Sequence, residues 1–319
     1  MNELSTRNAD FQFMIEQAVK APSGHNTQPW LFEITDVGVV ISPDFTRALP
    51  VVDPSHRELF VSLGCATENL CIAAAYKGYL PQVNIGVEGV ISVTLSEGAT
   101  ETSVSRLFSQ IGVRQTNRRV YNGARIPEET ITRLAGLTFE EGVKVYFFQN
   151  GTPVYERLSA LVYEGNRLQM GDDAFKHELQ QWMRYNKQHQ DATRDGLSYA
   201  VFGAPNVPRF IAKAIMGAAL NAEKQNKSDQ KKLASSSHLV LLTTATNTPV
   251  AWVNLGRTLE RLLLESTAVG IAHAYFNQPN EIASLAKKMV TQLGLGEESP
   301  TVLLRLGYGK PMPYSVRRR

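Results

Sequence analysis

The chain has 319 residues, of which 43% are hydrophobic and 20% charged, which is typical of a soluble protein with one large or two medium domains. Its formal net charge of +3 is too small to indicate a nucleic-acid partner. No apolar run reaches the roughly 20 residues that a membrane-spanning helix needs. The polar start is unlike a signal peptide, and the two cysteines should face different sides of one helix without pairing, so a reducing cytoplasm is expected.

Alternating helices and strands are predicted along the chain. Apolar residues at helical spacing predict a helix over 9–20, and a capping-box pattern at 55–58 predicts a helix that runs to about residue 78. Further helices are predicted from residue 127 and over 153–188, 249–269 and 280–293, with strands at 31–34, 37–42, 84–85, 91–95, 143–148, 239–244, 271–276 and 301–306. Residues 190–236 are predicted to be irregular and to form a lid.

Two of the predicted helices carry the same motif. Residues 63–70 and 255–262 both read L-G-x-x-x-E-x-L, and in each case a second glycine follows 14 residues after the first. Both copies also lie between predicted strands. This favours a duplicated unit, with two unrelated core helices as the alternative.

Two polar segments outside these helices carry the candidate chemistry. Residues 21–30 read A-P-S-G-H-N-T-Q-P-W, which cannot continue a helix and offers many hydrogen-bond donors at a bend. The segment 102–127 has five arginines and no acid. It is either a solvated surface stretch or an anion site, since guanidinium groups suit bidentate phosphate binding. We expect the two segments to meet around one phosphorylated cofactor.

These motifs resemble a known family. Residues 114–118 read R-Q-T-N-R and 126–129 read I-P-E-E, which resembles the R-x-[ST]-x-R … I-P-x-E motif of the FMN-dependent nitroreductases. Residues 21–30 resemble the A-P-S-x-x-N-x-Q-P-W motif of that family. Ordinary members are homodimers in which the arginine motif comes first and FMN lies at the subunit interface. The reversed order here is similar to the Acg-type subfamily.

The resemblance implies an α+β, nitroreductase-like fold with two similar α/β halves fused in one chain as a pseudo-dimer. We expect a first half over 1–105 and a second half over 106–319, with the lid at about 190–236. FMN should be held between the halves. Because the second half lacks the A-P-S motif and the first lacks a full arginine motif, we predict one FMN per chain.

The resemblance also implies the residues around FMN. Arg114, Thr116 and Arg118 should hold the phosphate, and the basic tail with Arg317 and Arg318 should reach back to it, unless that tail is only solvated. The other candidates come from the A-P-S motif and from the predicted strand near residue 275: Pro22, Ser23, His25, Asn26, Gln28, Tyr275, Phe276 and Asn277. Gln28 either bonds the flavin edge or braces the loop. The polar group that the family has beneath flavin N1 and O2 cannot be placed in this sequence; within 166–209, Trp182, Arg184 and Tyr185 are no more than candidates.

The expected activity follows from that cofactor. NAD(P)H would reduce FMN and leave, and a nitroaromatic, quinone or similar small-molecule acceptor would be reduced in the same slot, with no side chain needed as a nucleophile. The alternative is a protein that stores or sequesters FMN with little catalysis. No histidine stands at metal-ligand spacing, so no metal site is expected. We expect no nucleic-acid or membrane partner, and either a monomeric pseudo-dimer or a homodimer.

Overall fold

Two four-stranded antiparallel sheets form the framework of the protein, as seen in a computed structural model that describes residues 3–98 and 102–318. The first sheet has the order β1-β2-β4-β3 and the second the order β5-β8-β10-β9, while β6 and β7 form a short parallel pair. The strands are β1 Trp30–Thr35, β2 Gly38–Pro43, β3 Tyr79–Ile85, β4 Ile91–Glu97, β5 Val143–Gln149, β6 Met183–Arg184, β7 Leu197–Ser198, β8 His238–Thr244, β9 Ala272–Tyr275 and β10 Ser299–Gly307.

The structure also has twelve α-helices in the described ranges. They are α1 Glu3–Ala18, α2 Arg57–Tyr76, α3 Thr102–Ile111, α4 Glu128–Ala135, α5 Pro153–Gly171, α6 Asp173–Trp182, α7 Lys187–Thr193, α8 Arg209–Ala219, α9 Ala222–Ala234, α10 Pro249–Ala268, α11 Gln278–Glu281 and α12 Ala283–Leu293. Each sheet contributes to the large core around α2 and α10, and the second sheet contributes to a further core beside α5 and α12.

The two motif-bearing helices cross at their glycines. The position that a Cβ atom would take on Gly64 lies 2.1 Å from the carbonyl oxygen of Val253, and that on Gly256 lies 2.1 Å from the carbonyl oxygen of Val61. The two contacts mirror each other, because each glycine meets the residue three positions before the other glycine. The backbones therefore touch along a local twofold relation, as in an isologous interface. The predicted fold of two similar halves fused in one chain is confirmed.

Several predicted elements need correction. The region 190–236 is not irregular, since α7, α8 and α9 occupy most of it, and the predicted helix over 153–188 divides at Asp172 into α5 and α6. The segment that became α3 was not predicted, although its apolar residues Val104, Leu107, Phe108 and Ile111 stand at helical spacing. The capping box is also wrong: His56 has a left-handed backbone with no side-chain cap, and Asp53 instead accepts a hydrogen bond from the amide of Leu59 at 3.0 Å.

The boundary between the halves remains a proposal. A division at 105/106 lies inside α3, which packs against both α2 and α10. We propose that α3 serves as the link between the halves.

One helix in the described part of the chain, α2, is long and apolar enough to cross a membrane by length and composition alone. Its apolar window is 89% buried inside the protein. Burial of this kind is what a core helix between two packed sheets requires.

Candidate functional site

The segment 21–30, which we call the elbow, is a strained turn between α1 and β1. His25, Asn26 and Gln28 all have positive φ angles, of 48°, 57° and 54°. Such conformations cost about 1–3 kcal/mol each for residues other than glycine and cluster at functional sites. The Ser23 hydroxyl accepts a hydrogen bond from the amide of Gln28 at 3.0 Å and closes the turn.

Gln28 fixes the elbow to two distant segments. Its side-chain amide donates to the carbonyl of Arg194 at 2.9 Å, and its side-chain oxygen accepts from the amide of Arg318 at 2.8 Å. The side chain is fully buried and lines neither cavity described below. Of the two roles left open for Gln28, the structure favours bracing of the loop.

The arginine segment lies against β9. Thr116 forms a parallel bridge with His273, and the amide of Asn117 donates to the carbonyl of His273 at 2.7 Å. The side-chain amide of Asn117 donates to the carbonyl of Lys310 at 2.9 Å, which brings the C-terminal tail alongside. The backbone thus places Thr116 and Arg118 next to the end of β9 and opposite the elbow.

A cavity of about 290 Å³, here called the basic cavity, lies where the elbow, the arginine segment and the tail meet. Four cationic side chains line it, and no acidic residue does: Lys20, Arg114, Arg118 and Arg317. Arg118 makes no ion pair within the described ranges. Burial lowers the pKa of Arg118, and burial followed by the charge of Arg114 lowers the pKa of Arg317 to about 9. A cluster of buried cations, one of which lowers the pKa of another, indicates a place for an anion.

Arg114 has a second role in the core. Its guanidinium lies 3.1 Å from a carboxylate oxygen of Glu260 on α10, and both side chains are almost completely buried. It also donates to the carbonyl of Lys20 at 2.7 Å. The pair with Glu260 lacks hydrogen-bond alignment, so it is chiefly an electrostatic contact. Arg114 therefore joins the end of α1 to α10 as well as facing the basic cavity.

A second cavity of about 230 Å³, here called the central cavity, lies between the elbow, α2 and the end of β9. Val61 and Cys65 line it from α2, and Tyr275 and Asn277 from the other half. The hydroxyl of Tyr275 and the side-chain oxygen of Gln278 are buried there without a hydrogen-bond partner. Buried polar atoms without partners are rare, so these two indicate a ligand that completes the bonding.

The two cavities are adjacent. Five residues line both of them: Pro22, Ser23, Thr116, Arg118 and Leu197. Together the two spaces reach the size of common ligand pockets, which are about 300–1,000 Å³. His25 lines the central cavity, and its pKa is lowered to about 4, first by burial and then by Arg118, so its imidazole is neutral at pH 7.

Several of the predicted site residues lie away from both cavities. Phe276 lines neither cavity, because its ring packs in the core beside α5 and its amide donates to the carbonyl of Leu303 at 2.8 Å. Arg318 contributes its backbone amide to Gln28, and its guanidinium lies 3.8 Å from Asp44. The candidates for the group beneath flavin N1 and O2 also line neither cavity: Trp182, Arg184 and Tyr185. Arg184 is instead paired with Asp195 at 2.7 Å.

Other lining residues were missed from the sequence. Lys20 directly precedes the elbow, so its position was a usable signal. Glu58, Glu281 and Leu197 line the central cavity without any local motif. Leu197 comes from the predicted lid, and the amide of neighbouring Gly196 donates to the carbonyl of Asn26 at 3.1 Å. The segment around β7 is thus hydrogen-bonded to the elbow and closes one side of both cavities.

Comparison with curated proteins finds relatives that match nearly the whole length of this chain. No protein-family model matches the chain. "Putative NAD(P)H nitroreductase Rv3131" of Mycobacterium tuberculosis is 27% identical over 94% of this chain and 87% of its own length. "Putative NAD(P)H nitroreductase acg" of the same organism is 22% identical over 95% of this chain and 92% of its own length.

Among solved structures, the FMN-dependent nitroreductase NfnB of Mycobacterium smegmatis in complex with NADPH gives a TM-score of 0.42 at 17% identity. That match covers 65% of this chain and 89% of the other. The curated relatives span nearly the whole chain and are named as nitroreductases, including Acg, so the predicted resemblance is confirmed.

Proposed function

We propose that this protein is an FMN-dependent oxidoreductase that uses NAD(P)H to reduce a small-molecule acceptor such as a nitroaromatic or a quinone. The observation that carries the proposal is that the basic cavity is adjacent to the central cavity and shares Ser23, Thr116 and Arg118 with it. An anionic group would lie among the four cations and an extended ring between α2 and β9. The names of the curated relatives and the bound cofactors of the similar structures support the same assignment.

The donor set fits the cofactor. The FMN phosphate would lie in the basic cavity with the hydroxyl of Thr116 and the guanidinium groups of Arg114, Arg118 and Arg317, since arginine forks match phosphate geometry. The ribityl chain would pass Pro22, Ser23 and Asn26, which line that cavity from the elbow. His25, Tyr275 and Asn277 would face the ring in the central cavity.

Bound FMN would supply the redox chemistry, accepting two electrons and a proton from NAD(P)H and passing them to the acceptor. The chain binds and orients it. The elbow and the segment around β7 exclude water from one side, and the neutral imidazole of His25 adds no further charge near Arg118. A storage role is not favoured, since the curated relatives are named as nitroreductases. We further propose a cytoplasmic protein that acts as a monomeric pseudo-dimer or a homodimer, without nucleic-acid or membrane partners.

The proposed stoichiometry gives the first test. Titration of the protein with FMN, followed by flavin fluorescence, should saturate at one FMN per chain. The reason is that the basic cavity draws on the elbow, the arginine segment and the tail, each of which occurs once in the sequence. Saturation at two flavins would refute this assignment.

The activity gives the second test. Steady-state kinetics of the FMN-loaded protein with NADH or NADPH and a quinone should give parallel lines in double-reciprocal plots, as expected for ping-pong transfer through one slot. Flavin that stays bound through dialysis but is not reduced by NAD(P)H would contradict the enzyme and favour storage.

The tail gives the third test. Arg317→Gln should weaken FMN binding by about 10- to 100-fold, because a charge-assisted hydrogen bond is worth about 1.5–3 kcal/mol. The weakening should shrink at high ionic strength. Arg157→Gln, which removes an exposed cation on α5, is the matched control and should leave the FMN dissociation constant unchanged.

A further inference from the structure

Two carboxyl groups meet in the central cavity. Glu58 lies in the first turn of α2 and Glu281 ends α11, and both line the cavity. The charge of Glu281 is among the causes that raise the pKa of Glu58, so the two carboxyl groups interact directly. Two buried carboxylates that share one site repel each other when both are ionised, so one of them holds a proton. The pair therefore holds one proton and one negative charge.

The surroundings place that proton on Glu58. Burial raises the pKa of Glu281 as well, but a hydrogen bond from the side-chain amide of Gln169 opposes that rise by stabilising the charged form. Among the described residues, the one side-chain group that donates to Glu58 is the amide of Asn277, at 3.0 Å. Burial first, and the neighbouring charge of Glu281 second, raise the pKa of Glu58 to about 8.

The other charged and titratable groups near the pair are few. Arg57 lies close enough to lower the pKa values of both carboxyls, and Asp53 raises that of Glu281. His25, Cys65, Arg118 and Tyr275 face the same cavity from the elbow, α2, the arginine segment and β9. Burial raises the pKa values of Cys65 and Tyr275, so neither is ionised at pH 7. Glu58 is therefore the group in this cavity that can supply an acidic proton.

The central cavity also holds polar atoms that are free to form hydrogen bonds with a bound electron acceptor. The hydroxyl of Tyr275 and the side-chain oxygen of Gln278 are buried without partners beside the pair. Glu58, Glu281 and Gln278 do not line the basic cavity, so they remain separate from the proposed phosphate contacts. The redox step proposed above uses none of them.

We propose that Glu58 is a catalytic residue that donates a proton to an oxygen atom of a neutral acceptor, such as a quinone carbonyl, with Glu281 as its positioning partner. This rests on the proposed function. The acceptor takes two electrons and one proton from the reduced flavin and the second proton from Glu58. An O–H bond forms on the acceptor as the O–H bond of Glu58 breaks, the quinone becomes a hydroquinone, and solvent reprotonates the carboxylate.

Rapid-mixing kinetics of the dithionite-reduced, FMN-loaded protein with a neutral quinone tests this. The wild-type reoxidation rate should fall as the pH rises through about 8, because only protonated Glu58 donates. Glu58→Gln should lower the rate about 100-fold or more and abolish that pH dependence, since general acids contribute about 10²–10⁴-fold. Glu281→Gln should shift the fall in rate to lower pH, because removing the neighbouring negative charge lowers the pKa of Glu58.

Infrared difference spectroscopy gives a second readout that needs no turnover. A protonated-carboxyl band should be present in the FMN-loaded protein at pH 7, fade above pH 8, and be absent from the Glu58→Gln/Glu281→Gln double variant. Glu88→Gln, on an exposed loop, is the control and should change neither the band nor the rate.

Two outcomes would overturn the proposal: a reoxidation rate of Glu58→Gln within threefold of wild type, or no carboxyl band that depends on the pair. Failure of NAD(P)H to reduce the bound flavin would count against the proposed function instead, since chemical reduction by dithionite keeps the test of Glu58 independent.

Discussion

Gly64→Ala is expected to destabilise the protein by about 3 kcal/mol or more, because its new methyl group would lie 2.1 Å from the carbonyl oxygen of Val253. The obstacle is backbone rather than a flexible side chain, so the helices α2 and α10 must move apart. Gly256→Ala should have a similar effect, since its Cβ position lies 2.1 Å from the carbonyl oxygen of Val61. Urea unfolding followed by circular dichroism measures both changes.

Gly217→Ala is the matched control for this test. Gly217 is also a helical glycine, but nothing lies within 4 Å of its Cβ position. Alanine there should be neutral or stabilise the protein by up to about 1 kcal/mol through its higher helix propensity. If Gly64→Ala costs less than about 1 kcal/mol, the close approach of the two central helices is wrong.

Arg114→Ala is expected to be the most damaging change in the candidate site. It leaves Glu260 buried without its counter-ion, and breaking a buried pair in this way costs about 3–5 kcal/mol. The same change removes one cation from the basic cavity, so FMN binding should weaken by about 10- to 100-fold. Thermal unfolding and FMN titration measure the two effects separately.

The pH dependence of this variant follows from Glu260. Burial raises the pKa of Glu260 in the folded protein, and Arg114 opposes that rise. Without Arg114 the folded-state pKa rises further above the unfolded value. The folded state then binds more protons, so stability is retained at low pH and lost as the pH rises through the folded pKa. The cost of Arg114→Ala should therefore be larger at pH 8 than at pH 5.

A double variant separates packing from binding. Arg114→Met/Glu260→Gln removes both charges and should recover much of the stability lost in Arg114→Ala, because no buried charge is left unpaired. It should not recover FMN affinity. Recovery of both properties would show that Arg114 acts on the cofactor only by supporting the fold.

The repeated helices and the joining of the two polar segments were predictable because each rests on a local pattern. The repeated L-G-x-x-x-E-x-L motif predicted a duplicated unit, and the structure shows that the two motif-bearing helices, α2 and α10, cross at Gly64 and Gly256. The elbow is recognisable in the sequence by its prolines and short polar residues. Its meeting with the arginine segment was anticipated from phosphate chemistry, and both segments line the basic cavity.

The parts that could not be predicted depend on contacts between distant residues. Glu58 looks like an ordinary acid in the first turn of a helix, where carboxylates are common. Only the folded structure places the distant residue Glu281 next to Glu58 in the same cavity. The helices of 190–236 were missed because glycines and prolines are spread through that region, and packing of apolar side chains such as Met183, Ala212 and Met216 outweighs weak propensity there.

The glycine crossing has a consequence for how the protein behaves on dilution. In a dimer of separate chains, the contact that builds the pocket depends on protomer concentration. Here α2 and α10 belong to one polypeptide, so the partner helix is always present at the effective concentration of a tethered segment. A substitution also enters only one of the two related helices, which leaves each free to specialise: Glu68 pairs with Arg257 and Arg261, while Glu260, at the matching position, faces Arg114.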